Sequence, residues 1–240
     1  AGLIPLGLDG PAVVLGGPFN AVYQIGGRCP YSRFGYTREG RAGGGLTIEH
    51  LDPELTARAE VVLVSGVFAS LNEGSLAVCR RLLETAPRGA LRAYDVNRRA
   101  ALADEDRARE LYAELAPRLD LVKADAAEAE LLWGPGGPRD LLERARRRHR
   151  YVMITLGDAG LLLATPEGVI EQPAVPAAAP ATEREVEETG AGDAALGAAL
   201  HELAAGGDPA RAARAAAEFG ARCVAAPGAL GYLLSRKDNA

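Results

Sequence analysis

The run Glu187-Glu188-Thr189-Gly190-Ala191-Gly192-Asp193 carries the residue types best suited to a reaction, and an alanine- and leucine-rich stretch follows it to Leu200. Two glycines and an alanine leave the backbone nearly bare where the chain turns into a helix, and a carboxylate sits on the first helical turn. Amide N–H groups at a helix N-terminus attract anions, so a phosphate fits against Gly190, Ala191 and Gly192. Asp193 repels a phosphate and would not be placed there merely to bind one. It does make sense as a base that takes a proton from an attacking hydroxyl. The segment reads as a phosphoryl-transfer site with its base built in. Asp also caps helices and Gly also fills turns, so the motif needs support from the rest of the chain.

The elements that would position it follow from the hydrophobic pattern. From about residue 60, short apolar runs alternate with longer amphipathic ones. Strands are predicted at Val61–Val64, Leu91–Asp95, Leu119–Lys123 and Tyr151–Leu156. Helices are predicted at Leu76–Leu83, Asp104–Leu115, Ala126–Trp133 and Arg139–His149. Such alternation means βαβ units and a parallel sheet covered on both faces. Gly160–Ala164 and Gly168–Glu171 read as a hairpin, and a Pro/Ala-rich connector spans Pro173–Pro180. Asp208-Pro209 opens a last helix reaching about Ala226. The first 50 residues are glycine-rich and loop-like, with sheet predicted around Tyr31–Thr37.

Composition narrows the function classes. The 240 residues are 48% hydrophobic and 25% charged, which suits one soluble domain with a substantial core. A net charge of −5 argues against a nucleic-acid partner. The basic cluster Arg144–Arg150 reads as the solvated end of a helix, where cations complement the dipole. Cys29, Cys79 and Cys223 lack metal-ligand spacing and read as reduced thiols of a cytoplasmic protein; no apolar run suggests a membrane span or a leader. His50, His149 and His201 are isolated and read as surface histidines. No Gly-x-x-x-x-Gly-Lys-Ser/Thr occurs, and Gly190-Ala191-Gly192 comes too late for a dinucleotide fingerprint.

Several motifs in a fixed order now resemble a family. Thr189-Gly190-Ala191-Gly192-Asp193 is similar to the C-terminal signature of the ribokinase-like (PfkB) carbohydrate kinases. Gly16-Gly17-Pro18-Phe19-Asn20 resembles their Gly-Gly-x-x-x-Asn substrate loop, and Asp125-Ala126-Ala127-Glu128 their Asn-x-x-Glu motif with Asp for Asn. Thr155-Leu156-Gly157-Asp158-Ala159-Gly160 resembles the Thr-x-Gly-x-x-Gly turn that meets the nucleotide, and the last helix with Gly228 the segment flanking adenine. Tyr36–Ala42 and Asp95-Val96-Asn97-Arg98-Arg99 are similar to segments of 2-keto-3-deoxygluconate kinases. A sugar acid carries a carboxylate, and arginine offers it a rigid, permanently charged fork.

The resemblance implies a single ribokinase-like domain over 1–240: a three-layer α/β sandwich with a mostly parallel central sheet and a small, shortened β lid. Residues 16–45 would form the substrate loop and the remnant of that lid. It implies that the sugar acid lies among Gly16, Gly17, Asn20, Tyr36, Arg38, Asn97 and Arg99. ATP would lie over Asp125, Thr155, Gly157 and Gly160, with its γ-phosphate at the amides of Gly190–Asp193 and Asp193 as base. Mg²⁺ would be held largely through water near Glu128 and Asp125, although a solvated helix residue is the competing reading of Glu128. Pairing of lids between subunits would make a homo-oligomer.

The chain also departs from the pattern. At Val22–Tyr23 it jumps to the lid-like segment where the family carries a helix and strands, through either a deletion or residues absent from the sequence. Glu187-Glu188 replaces Asp-Thr at the family's monovalent-cation site, and Ala195 stands where Phe is common. The alternatives are a kinase of another sugar, of fructose or ribose type, and a truncated homologue that binds nucleotide or sugar without turnover.

Overall fold

The computed structural model describes residues 22–26, 33–37, 42–176, 188–226, 229 and 233, with 22–26, 33–37 and 42–43 given as backbone alone. Its centre is a six-stranded sheet of β3 (Val61–Ser65), β4 (Leu91–Asp95), β5 (Leu121–Asp125), β6 (Tyr151–Thr155), β7 (Leu161–Ala164) and β8 (Val169–Gln172), paired in that order. Strands β3 to β6 are parallel, and β7 and β8 continue antiparallel as a hairpin. Helices α1 (Pro53–Ala57), α2 (Gly66–Ala69), α3 (Glu73–Thr85), α4 (Glu105–Leu115), α5 (Ala126–Trp133) and α6 (Pro138–Ala145) precede or alternate with these strands; α7 (Ala191–Ala204) and α8 (Pro209–Val224) follow the hairpin. A separate antiparallel ribbon pairs β1 (Val22–Gly26) with β2 (Arg33–Thr37), placing Tyr23 opposite Tyr36. Val22 and Tyr23, where the family pattern jumps, are thus consecutive residues of one strand.

Alternation along each strand sends side chains to opposite faces. Val62, Val64, Tyr94, Val122, Ala124, Val152 and Ile154 pack with Leu76, Leu83, Leu111, Leu115, Leu141 and Leu142. The intervening residues Leu91, Ala93, Leu121, Tyr151, Met153, Leu161 and Leu163 pack on Leu196, Ala199, Leu200, Ala212, Ala213 and Ala216. Helices therefore cover both faces, and the small side chains let α7 and α8 approach the sheet closely. Among the described residues β3 is the outer strand of this sheet, and its Leu63 is 46% exposed.

Two predicted elements shift. The strand expected at Leu119–Lys123 runs over Leu121–Asp125, because a 3₁₀ turn at Ala116–Arg118 delays its start. The helix expected to reach His149 stops at Ala145. Arg144 then donates to the carbonyls of Trp133 and Pro135, closing the loop between α5 and α6. His149 is buried, not a surface residue. Its Nδ1 faces the Leu119 carbonyl at 3.2 Å and must carry the proton, so its Nε2 accepts from the Tyr112 hydroxyl at 2.8 Å. Tyr112 in turn accepts from Trp133 Nε1 at 3.1 Å. This network lies just before β5 and β6, at the sheet end opposite the candidate site. His50 and His201 are exposed.

Candidate active site

Parallel strands gather functional groups at their carboxyl ends. Asp95, Asp125 and Thr155 are the last residues of β4, β5 and β6, in registers that pair Asp95 with Lys123 and Asp125 with Thr155. Beyond β4 the chain passes through Asn97 at φ 35°, the one non-glycine residue in the left-handed region among the described residues. Asn tolerates that region better than most side chains, and such strain concentrates at functional sites. Gly66 makes the bend possible: a Cβ there would stand 2.1 Å from the Val96 carbonyl oxygen.

Glu128 fixes this bend from below. Its Oε1 accepts the Arg98 amide at 2.6 Å and its Oε2 the Asp125 amide at 2.9 Å. Asp125 Oδ1 accepts the Glu128 amide at 2.8 Å, completing a reciprocal cap on α5. Glu128 is 8% exposed, so the solvated reading is overturned, and burial pushes its carboxyl above the ordinary range. With an amide on each oxygen, Glu128 brackets two loops. A metal bound directly would compete with both amides. Among the described residues no group of three His, Cys, Asp or Glu side chains is placed to hold a metal ion.

The N-terminus of α7 faces the same end of the sheet. Gly190 is its N-cap at φ 85° and no side chain caps it; the Ala191 amide donates to the Glu188 carbonyl at 3.1 Å, which leaves the amides of Gly192 and Asp193 for an anion. That is the feature a phosphate requires, and it fits the nucleotide expected there. Asp193 is exposed on this turn. Below it lies Lys123, whose Nζ donates to Asp95 Oδ1 at 3.0 Å in a pair less than a tenth exposed. The ammonium would stand 3.1 Å from a Cβ built on Gly192. Burial pushes Lys123 down, but the charges of Asp95 and Glu128 outweigh it and hold it above the ordinary lysine range. Burial raises Asp95, against the opposing pull of Lys123. Sequence reasoning missed Lys123, since one lysine near a strand end reads as solvated.

The remaining expected residues divide. Arg99 is half-buried, donates to the Arg98 carbonyl at 3.2 Å and lies within charge range of Asp95. Gly157 (φ 61°) starts the turn after β6, and Gly160 (φ 100°) ends it, where a Cβ would stand 2.1 Å from the Gln172 carbonyl oxygen. Gly16, Gly17, Asn20, Arg38, Glu187 and Gly228 lie outside the described residues, and Tyr36 is described as backbone alone. A groove of about 380 Å³ runs from Gly190 and Asp193 down α7 to His201, walled by Ala215 and Phe219 of α8. The strand-end residues do not line it.

Residues 45–234 match the family model of the pfkB family carbohydrate kinases, well over half of the chain. The chain belongs to that family. Fructokinase-1 of Zea mays is 30% identical over 169 residues, which are 66% of this chain and 48% of that protein. The chain thus spans about half the length of this curated relative. A PfkB protein from Polaromonas sp. JS666 superposes with a TM-score of 0.75 at 22% identity, over 92% of this chain and 70% of that one. Aminoimidazole riboside kinase from Salmonella enterica, solved with aminoimidazole riboside and an ATP analogue, gives 0.69 at 28% identity over 83% and 67%. The sheet and its helices are those of the ribokinase-like neighbours. Among the described residues no helix is long and apolar enough to cross a membrane.

Proposed function

We propose that this PfkB-family chain transfers the γ-phosphoryl group of ATP to a hydroxyl of a sugar acid of the 2-keto-3-deoxygluconate type. The supporting observation is the uncapped α7 N-terminus, with Asp193 on its first turn, over the strand ends that carry Asp95, Asp125 and Thr155. The acceptor hydroxyl oxygen attacks the γ-phosphorus while the bond to the β-phosphate oxygen breaks and ADP leaves. Asp193 takes the hydroxyl proton. The Gly190–Asp193 helix terminus, through the amides of Gly192 and Asp193, faces the charge that develops on the transferring group and needs no reorganisation to do so. Thr155, Gly157 and Gly160 form the surface under the nucleotide. Asn97 and Arg99, held by Glu128 through the Arg98 amide, face the acceptor, with Gly16, Gly17, Asn20, Tyr36 and Arg38 completing its pocket. Mg²⁺ bound with the nucleotide supplies charge neutralisation at the phosphates; Asp125 and Glu128 would hold it through water.

Arg38 and Arg99 favour an acid over a neutral sugar, because each can pair a carboxylate. The Zea mays fructokinase relationship supports the second reading, a neutral-sugar acceptor such as fructose. ADP release measured over sugar acids, fructose and ribose separates the two. Turnover with 2-keto-3-deoxygluconate above the neutral sugars is expected. Turnover with fructose alone would replace the first reading by the second, and ATP binding without any turnover would leave a binding homologue.

A further inference from the structure

The buried ion pair beneath α7 is not accounted for by the base, the anion-binding turn or the acceptor loop. Lys123 is 7% exposed, projects from β5 and reaches the underside of the helix that carries the base. An ammonium has three donors, and Asp95 Oδ1 takes one. Taking two charges out of water is costly, so two apolar side chains would satisfy the fold at least as well. The pair's position says more than its energy does. Lys123 lies among three carboxylates, Asp95, Glu128 and Asp193, on the protein side of the first turn of α7.

We propose that Lys123 is a positioning residue of the transfer site. Clamped by Asp95, its ammonium is a fixed positive charge behind Gly192 that holds the first turn of α7 in place and strengthens its pull on the transferring phosphoryl group. The proposal rests on the phosphoryl-transfer reading of this site. Gly192 is part of the device, since a Cβ there would press on the ammonium at 3.1 Å. Asp95 sets the height of the ammonium through the 3.0 Å contact of its Oδ1 with Nζ. A fixed charge of this kind acts on charge that develops during transfer, more than on ground-state nucleotide.

Four proteins test this: the native chain, Lys123→Met, Lys123→Arg and the double variant Asp95→Asn/Lys123→Met. Calorimetry measures their affinity for ADP and for ADP with aluminium fluoride, a mimic of the transferring group, and kcat and KM follow with the acceptor that turns over. In Lys123→Met the aluminium fluoride complex should weaken about 10- to 50-fold, with kcat falling alike, while ADP affinity and nucleotide KM stay within about threefold. Lys123→Arg should recover most of the loss. The double variant removes the stranded Asp95 carboxyl and should restore thermal stability, yet remain as defective as Lys123→Met. Full recovery in the double variant, or native aluminium fluoride affinity in a folded Lys123→Met, would overturn the proposal. If aluminium fluoride adds no affinity even in the native chain, the phosphoryl-transfer reading fails and the proposal falls with it.

Discussion

Removing the Glu128 carboxylate should loosen two loops at once, and the size of the effect follows from its contacts. Its oxygens accept the Arg98 amide at 2.6 Å and the Asp125 amide at 2.9 Å. A hydrogen bond to a charged group contributes about 1.5–3 kcal/mol net. Part of this is offset, because burial already disfavours the carboxylate and raises it above the ordinary range. Asp125 is exposed, so water can replace the carboxylate at its amide, whereas the half-buried Arg98 is harder to resolvate. Glu128→Ala should therefore cost about 2–4 kcal/mol, which for a chain of this size lowers Tm by roughly 5–12 °C. Glu128→Gln keeps one acceptor but turns an amide NH₂ toward the other N–H, and should lose about half as much. Thermal unfolding followed by circular dichroism measures both. The Arg98 amide is the anchor of the left-handed turn at Asn97, so acceptor KM should rise more than nucleotide KM. A Glu128→Ala protein melting within about 1 °C of native, with acceptor KM unchanged, would refute the bracket.

Gly66→Ala places a Cβ 2.1 Å from the Val96 carbonyl and should destabilise by several kcal/mol, seen as a lower Tm and a weakened acceptor site. Gly160→Ala combines φ 100° with a 2.1 Å approach to the Gln172 carbonyl, and should lower Tm with disproportionate loss of nucleotide affinity. His149 is pushed below its ordinary value by burial, so the unfolded chain takes up a proton first as the pH falls. Stability is then full above about pH 6.5 and declines as the pH drops toward the folded-state value. Tm measured from pH 7.5 to 5 should fall, and more steeply than in His149→Gln. An equal slope in the two proteins would exclude His149 as the cause.

The sequence makes the sheet and its site readable where boundaries have local chemical causes. Asp104, Asp125 and Asp208 cap α4, α5 and α8 with their own side chains, and the expected starts of these helices agree with the structure. The Gly-Ala-Gly-Asp turn opens α7 because Gly190 adopts a left-handed conformation. What stays hidden depends on contacts distant in sequence. Lys123 and Asp95 lie 28 residues apart, and only the β4–β5 register makes them a pair. His149 sits in a basic run that reads as a solvated helix end, but α6 stops early and turns it inward onto Tyr112. Glu128 reads as a helix-surface residue because nothing local shows that the Arg98 amide lies 30 residues back and within reach.

The central claim is that Asp193 accepts the acceptor proton over an anion-binding helix terminus. Its most direct test is single-turnover ADP formation by Asp193→Asn, with ATP affinity measured on the same protein. Loss of about 10³-fold in rate, with ATP affinity within a few-fold of native, is the predicted result. A folded Asp193→Asn that forms ADP at near-native rate would contradict the claim.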